Sequence, residues 1–156
     1  MKVYDTNFIK DQFPALKRKV WDKKLVYLDS AASMQKPKRV LDAISKSYSF
    51  NYSNVHRGLH KLSEEATAKY EGSRIKVAKF INCSENEVIF TSGATAALNL
   101  VAYSWGMKNL SAGDEIIITI AEHHANIVPW QIIAEQKKVK IKAAHVDPNS
   151  EFNPDI

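Results

Sequence analysis

Cysteine is nearly absent from this sequence: Cys83 is the single one in 156 residues, and glycine and proline occur five times each. One cysteine excludes an intramolecular disulfide and a multi-cysteine metal site. No apolar run approaches the ~20 residues that cross a bilayer, and the polar stretch Met1–Asp5 lacks the apolar core of a secretory signal. We therefore expect a cytoplasmic protein without membrane contacts, an organellar matrix being the alternative.

The net charge of +5 comes mainly from lysines that are spread along the chain. A nucleic-acid site would cluster its basic side chains and interleave them with aromatic ones. Scattered lysines instead suit solvated helix faces and edge strands. No nucleic-acid partner is therefore expected, and the length is about that of one ordinary domain.

Hydrophobic periodicity divides the chain into helices and strands. The predicted helices cover residues 7–19, 37–50, 63–82, 95–107 and 125–137, and the predicted strands cover residues 25–28, 87–91, 115–120 and 139–146. Pro14 weakens the case for a continuous first helix, and Ser63 is a suitable N-cap for the third. From residue 63 onward helices and strands alternate, which is typical of an α/β fold with a parallel sheet and crossover helices.

The turn Thr91-Ser-Gly-Ala-Thr95 leads from a predicted strand into a predicted helix. Backbone N–H groups at the start of a helix lack partners and lie at the positive end of its dipole. Together with the hydroxyls of Ser92 and Thr95 they suit an anion such as a phosphate. The alternative is a capped helix that follows a buried strand and binds no ligand.

A second strand-to-helix junction carries Glu122, His123 and His124. In open α/β sheets, ligands bind at the carboxyl ends of strands, so the two junctions favour a flat aromatic ligand that carries a phosphate. Adjacent side chains on an extended segment point to opposite faces, so the two histidines are not expected to chelate one metal. One facing a ligand while the other packs is the more natural arrangement, and a structural role is the alternative.

Residues 51–60 have no periodicity and contain Gly58, which predicts a loop. His56 and His60 are four residues apart, but Gly58 breaks the helix that a zinc pair needs, and Arg57 occupies the position of the glutamate in the metalloprotease pattern. No metal site is therefore expected. His56 and Arg57 suit an anionic substrate group, and a solvated loop is the competing account.

Four segments together resemble one family: Tyr27–Pro37, Asn54–His60, Thr91–Thr95 and Glu122–Trp130. In this order they are similar to the N-terminal part of a Suf-type cysteine desulfurase, also called selenocysteine lyase. This is a class-V aminotransferase of fold type I, dependent on pyridoxal 5′-phosphate (PLP), and the resemblance covers nearly the whole chain. It implies an incomplete large domain of that fold, with a strand-exchanged or rearranged sheet as one expectation.

The resemblance also implies a division of the chain. Residues 1–62 would form the N-terminal helices, a short strand and an active-site loop. Residues 63–156 would form the first part of the PLP-binding large domain.

The resemblance further implies which residues bind PLP. His123 is similar to the imidazole that stacks on the pyridine ring, and Thr95 with the N–H of Ala94 resembles part of the cup around the phosphate. Stacking would fix the ring plane, and fixed N–H groups would neutralise the phosphate without proton transfer.

Four further residues are expected beside the substrate. The small residues Ala31 and Ala32 resemble those next to it, and His56 and Arg57 resemble a loop that lines the active site near a dimer interface.

Two departures from the family pattern bear on activity. Ala96 stands where the family often has a glutamate near the subunit interface. The family's Schiff-base lysine, the aspartate that pairs with the pyridine nitrogen and the cysteine that receives sulfur all come later, and Cys83 does not match that cysteine. The complete enzyme would convert L-cysteine to L-alanine and pass a persulfide to iron–sulfur cluster assembly. This chain alone is expected to be inactive and to bind PLP weakly or not at all.

The sheet of the family also predicts an oligomer. Strands that come later in the family's sequence separate strand 87–91 from the next two, so this chain would leave unpaired edges. We expect a homodimer or a strand-exchanged oligomer, and a Suf-type sulfur-acceptor protein as partner of the complete enzyme.

Two other hypotheses stay open from the sequence. The first is a non-catalytic relic or interaction module from a split or degraded gene. The second is another class-V enzyme, such as a kynureninase-like lyase or an aminotransferase. The run Glu122–Trp130 argues against the second.

Overall fold

The computed structural model describes residues 5–145, which belong to two compact units, Met1–Val88 (unit 1) and Ile89–Ile156 (unit 2). The predicted strand 139–146 extends one residue past the described part, so residue 146 lies outside it. The predicted boundary between residues 62 and 63 concerns the domains of the complete enzyme and stays a prediction.

Unit 1 begins with helix α1 (Thr6–Asp11). Asp5 caps it, because its carboxylate accepts the N–H groups of Asn7 and Phe8 at 3.0 Å each. The single helix predicted over residues 7–19 is wrong. Pro14 has no N–H to continue the ladder and instead opens a separate 3₁₀ turn that ends at Lys17.

A hairpin of two short antiparallel strands follows, β1 (Lys19–Val20) and β2 (Lys23–Lys24). Trp21 and Asp22 both have positive φ angles, as a tight two-residue hairpin turn requires. The strand predicted over residues 25–28 does not form, because no strand among residues 5–145 continues the ladder beyond β2.

Helix α2 (Lys38–Lys46) runs into a π turn, Ser47–Asn51, so the helix predicted over residues 37–50 is confirmed as helical backbone. The segment that follows is irregular up to His60, as the lack of periodicity predicts. This irregular segment carries His56 and Arg57.

Helix α3 (Lys61–Ile81) is the longest element of unit 1. Its N-cap is His60, so the prediction that Ser63 caps it is wrong. The Ser63 side chain is 1% exposed and bonds to the preceding loop instead. The helix ends at Asn82, whose left-handed backbone lets Cys83 N–H reach back to a carbonyl of the last turn, a common helix ending.

The segment after α3 contains a 3₁₀ turn, Glu85–Glu87, closed by a capping box in which Ser84 donates its N–H and hydroxyl to Glu87 at 2.7 and 2.8 Å. The strand predicted over residues 87–91 is not formed. A strand needs a neighbour for its N–H and C=O groups, and in the described part of unit 2 the two strands pair with each other.

Unit 2 opens with a nearly continuous helix, made of α4 (Ala94–Val101), a π turn (Ala102–Gly106) and α5 (Met107–Asn109). It covers the helix predicted over residues 95–107. A turn at Gly113, where φ is +99°, then reverses the chain, and this positive φ favours glycine.

A β-α-β crossover completes unit 2. Strands β3 (Glu115–Thr119) and β4 (Lys140–Ala144) are parallel and are joined through helix α6 (Val128–Lys137). The register pairs Glu115 with Lys140 at one end and Thr119 with Ala144 at the other. The predicted α/β fold with a parallel sheet and a crossover helix is therefore confirmed for this part of the chain.

The core of unit 2 lies between the nearly continuous helix α4–α5, helix α6 and the sheet of β3 and β4. Its buried residues are Ala102, Leu110, Ile133, Ala134 and Val139. Ile133 has no exposed surface, and Trp130 packs beside it against Gly106. A Cβ at Gly106 would lie 3.1 Å from the Trp130 ring, so glycine allows this close approach.

Candidate functional site

The turn into α4 presents backbone N–H groups that the helix does not use. The N-cap is Gly93, and the N–H of Ala97 is the first to bond back, donating to the Gly93 carbonyl at 3.0 Å. The N–H groups of Ala94 and Thr95 therefore have no helical acceptor. The Thr91 hydroxyl braces the turn by donating to the Gly93 carbonyl at 3.1 Å. No acidic residue stands in the first turn, so this positive helix end is open to an anion.

His123 lies at the N-cap of a 3₁₀ turn, His124–Asn126. Its Nδ1 accepts the N–H of Ala125 at 3.1 Å. The neutral imidazole therefore carries its proton on Nε2, and the backbone sets the orientation of the ring. The rings of His123 and His124 stand nearly perpendicular, at 89°, with centroids 6.3 Å apart. Only one of the two rings can thus lie parallel to a given flat ligand.

The structure brings the predicted cofactor residues of unit 2 into neighbouring elements. Helix α4, which begins at Ala94, packs against the turn His124–Asn126 that follows His123. Ala94, Thr95 and His123 are all exposed. A helix start that suits an anion and an oriented imidazole therefore belong to one contiguous part of unit 2.

A hydrogen-bonded chain that the sequence interpretation missed holds the segment around His123. Glu122 accepts from the Thr119 hydroxyl at 3.3 Å and from the Asn126 amide at 3.0 Å. Asn126 in turn accepts the indole N–H of Trp130 at 3.1 Å. Because Trp130 packs on the core, this chain ties the His123 segment to β3 and α6. The spacing of four residues from 122 to 126 to 130 permits these bonds, but side-chain rotamers, which the spacing does not fix, decide whether they form.

Ala31 and Ala32 lie in unit 1, in a turn that follows Tyr27. The Ser33 N–H donates to the Asp29 carbonyl at 3.1 Å, and the Tyr27 hydroxyl bonds to the Ser33 carbonyl, so the turn is closed from both sides. Both alanines are exposed. Their predicted place beside the substrate stays a prediction.

His56 also lies in unit 1, and its side chain is already engaged. The Nε2–H group of His56 donates to Glu71 on α3 at 2.6 Å, and its ring meets that of Tyr70 edge-on at 5.5 Å. Arg74 binds the second carboxylate oxygen of Glu71 at 3.0 Å. Arg57, in contrast, is exposed and makes no hydrogen bond or ion pair within residues 5–145.

The pKa of Glu71 is lowered, chiefly because the His56 ring donates a hydrogen bond to its carboxylate. Partial desolvation opposes this shift, and Arg74 adds to it. A carboxylate with a lowered folded-state pKa stabilises the fold at neutral pH. That contribution is lost as the pH falls through the folded-state pKa.

We expect His56→Ala to raise the pKa of Glu71 toward the ordinary glutamate value, because the largest cause of the shift is removed. Arg74 would keep part of the effect. A carboxyl-carbon NMR titration of Glu71 measures this directly. Glu64, whose carboxylate pairs with Lys61 at 3.7 Å, is the internal control. An unchanged Glu71 titration in the variant would show that the imidazole is not its main partner.

Neither a metal centre nor a membrane segment is found in the part of the chain that the structure describes. No group of three or more His, Cys, Asp or Glu side chains there could hold a metal ion. No helix among residues 5–145 is long and apolar enough to span a membrane.

The fold and site of unit 2 define a class of protein: an α/β domain in which a helix start suited to an anion packs against the turn that follows an oriented imidazole. The sequence family is then unambiguous, because the model of the aminotransferase class-V family matches residues 26–156. The chain belongs to this family.

Relatives agree with the family. A "Probable cysteine desulfurase" from Synechocystis is 49% identical over 146 residues, which are 93% of this chain and 35% of that protein. One with the same name from Vibrio cholerae is 52% identical over 145 residues, 92% of this chain and 36% of the relative. The apo structure of a cysteine desulfurase from Thermococcus onnurineus superposes with a TM-score of 0.85 at 32% identity, covering 97% of this chain and 36% of that one.

This structural similarity confirms the expected fold type, of which the chain forms a part. The chain spans about a third of the length of the relatives it matches. The predicted roles of Ala94, Thr95 and His123 remain predictions that the geometry suits.

Proposed function

We propose that this chain is the cofactor-binding N-terminal part of a PLP-dependent cysteine desulfurase, which converts L-cysteine to L-alanine and an enzyme persulfide. The observation that carries the proposal is the packing of α4, with its open N–H groups at Ala94 and Thr95, against the turn that follows His123. Phosphate donors and a ring partner are what a flat phosphorylated cofactor requires from the protein.

The residues present fit PLP by their chemistry. The start of α4 offers N–H donors, the Thr95 hydroxyl and no carboxylate, a set suited to a phosphate dianion. His123 offers an imidazole whose tautomer and orientation are fixed by Ala125 N–H, so it can restrict the plane of a stacked ring. When bound, PLP supplies an electron sink for bond cleavage at the amino acid. The role of this chain is to bind and orient.

Unit 1 contributes to the substrate side of the proposal. Arg57 is exposed on a loop, makes no hydrogen bond or ion pair with the residues that the structure describes, and suits the carboxylate of an amino acid. Ala31 and Ala32 leave room because their side chains end at Cβ. His56 stays beside the substrate in the proposal as the neighbour of Arg57, and Glu71 holds its ring.

The remaining parts of the proposal concern the complete enzyme. We expect a homodimer or a strand-exchanged oligomer, a Suf-type sulfur-acceptor protein as partner, a role in iron–sulfur cluster assembly and a cytoplasmic location. Residues 1–62 and 63–156 would contribute to the active-site loop and the large domain respectively. Since none of the present residues matches the family's lysine and sulfur-accepting cysteine, the 156-residue chain alone is expected to be inactive.

The test compares the chain alone with the chain co-expressed with the remaining two thirds of a desulfurase relative. L-alanine and sulfide are measured from L-cysteine in the presence of PLP and a reductant. We expect no turnover above buffer from the chain alone and measurable turnover from the complemented protein. Turnover by the chain alone would contradict the expectation that the chain alone is inactive. A complemented, folded protein that does not bind PLP would contradict the function itself.

In the complemented protein, His123→Ala should weaken PLP binding several-fold, up to about tenfold, because aromatic stacking contributes modestly beyond buried area. His124→Ala is the matched control, since it removes the neighbouring exposed imidazole. PLP absorbance and fluorescence titrations give both affinities. Equal losses in the two variants would remove His123 from the proposed role. The intact mass of the protein as its own cell makes it would show whether the chain is longer there.

A further inference from the structure

We propose that one face of α3 is a positioning surface for the loop 54–58, and that it directs Arg57, rather than His56, to an anionic substrate group. The face consists of Ser63, Thr67 and Glu71, which are spaced by four residues and therefore lie one above the other on the helix. The nature of the anion rests on the proposed function, whereas the positioning itself does not.

The first contact of this face is made by Ser63. Its hydroxyl accepts the Gly58 N–H at 3.0 Å and donates to the Asn54 carbonyl at 2.8 Å, so one buried side chain joins both ends of the loop. Ser63 is 1% exposed. A buried hydroxyl that satisfies two backbone groups is costly to remove, because both groups then lose their partner.

The second contact is made by Thr67, one turn further along α3. Its hydroxyl accepts the His56 N–H at 2.9 Å and donates to the Ser63 carbonyl within the helix at 2.7 Å. The proton of the Thr67 hydroxyl is thus committed to the helix, which leaves its lone pairs directed at the loop.

The third contact is the pairing of Glu71 with the His56 ring at 2.6 Å. Arg74 holds the other oxygen of Glu71, so the carboxylate is itself oriented. His56 has a φ angle of +73°, a left-handed conformation that residues with a Cβ adopt uncommonly. Two bonds to His56, one at its backbone and one at its ring, hold it in this conformation.

These contacts leave Arg57 as the presented group. The residue before it is fixed at two points and the residue after it at one, while Arg57 itself is exposed and bonds to nothing in the described part of the chain. Because the His56 ring is bonded to Glu71, the loop offers its guanidinium rather than its imidazole. Glu71 is therefore a positioning residue that acts through His56.

Limited trypsin digestion tests the positioning surface on the 156-residue chain itself, because trypsin cleaves the Arg57–Gly58 bond only when the loop opens. We expect Thr67→Val to speed cleavage after Arg57 about fivefold, since the His56 N–H loses its acceptor. Thr67→Ser keeps the acceptor and should restore slow cleavage. Cleavage after Lys108 in unit 2 is the internal reference, read by mass spectrometry.

Glu71→Gln should also speed cleavage after Arg57, whereas Glu64→Gln, which changes an exposed glutamate of the same helix, should not. The inference is overturned if the unaltered chain is cut after Arg57 as fast as the Thr67→Val variant, or if Thr67→Ser behaves like Thr67→Val. Circular dichroism confirms in each case that α3 is intact.

A second readout separates this inference from the proposed function. In the complemented protein, Arg57→Gln and Glu71→Gln should both raise KM for L-cysteine several-fold, while the PLP spectrum stays that of the unaltered protein. A protein without desulfurase activity would refute the proposed function but leave the digestion result standing. An unchanged KM in both variants of an active protein would refute the presentation of Arg57.

Discussion

Replacing Ile133 by alanine is expected to destabilise unit 2 by about 2–5 kcal/mol, the usual range for truncating a buried isoleucine. The side chain has no exposed surface and belongs to the cluster formed with Ala102, Leu110 and Val139. Truncation would leave a cavity between the nearly continuous helix α4–α5, helix α6 and the sheet of β3 and β4. Because small domains are stable by only some 5–15 kcal/mol, the loss should show as a large drop in the urea midpoint.

The adjacent residue provides the matched control for this prediction. Ile132 stands next to Ile133 on α6 but is 37% exposed. Ile132→Ala should therefore cost much less than Ile133→Ala. Amide hydrogen exchange, read separately for the amides of β3, β4 and α6, assigns the loss to unit 2. Equal losses for the two variants would mean that the face of α6 that packs inward has been misassigned.

The crossover in unit 2 could be predicted because its signals are local. An apolar β-branched run, a turn with Gly113 and a helix-forming run with Pro129 in its first turn each mark their own element. The predicted strand 115–120 and the observed Glu115–Thr119 differ by one residue. Two strands that pair on either side of a connecting helix are usually parallel, and the register of β3 and β4 confirms that arrangement.

The strands predicted over residues 25–28 and 87–91 do not form, because a strand depends on a partner that is distant in the sequence. Their composition is that of buried strands, but a strand exists only when another segment accepts and donates along its length. Composition cannot say whether that neighbour is present. In the described part of the chain, β3 and β4 pair with each other and β1 pairs with β2.

The two junctions could be recognised in the sequence, whereas the contacts that support them could not. The rule that ligands meet the carboxyl ends of strands pointed to the turn before Thr95 and to Glu122–His124, and the choice of His123 came from the family resemblance. The structure packs α4, which contains Thr95, against the turn that follows His123. The bonds of Glu122 to Asn126 and of Asn126 to Trp130 depend on side-chain rotamers that sequence patterns do not encode. The same holds for the pairing of His56 with Glu71, fifteen residues apart.

Replacing Gly58 by alanine is expected to displace the loop 54–58 and to cost about 1–3 kcal/mol or more in unit 1, the range for inserting an atom into a packed site. A Cβ at this position would lie 2.4 Å from both Cβ and Oγ of Ser63 and 3.1 Å from the side chain of Asn54. Ser63 cannot move aside, because it is buried within α3. The measurements are the urea midpoint of unit 1 and the rate of trypsin cleavage after Arg57.

Gly72, which lies on α3 like Ser63, is the control, because the same substitution is expected to have the opposite effect on stability there. A Cβ there would meet no atom within 4 Å, so Gly72→Ala should stabilise unit 1 by about 0.5–1 kcal/mol through helix propensity alone. In a Ser63→Gly background the clash partner is gone, and Gly58→Ala should then cost little, which a double-mutant cycle would show as a large coupling. Additive effects at positions 58 and 63 would mean that the loop does not rest on α3 at Ser63.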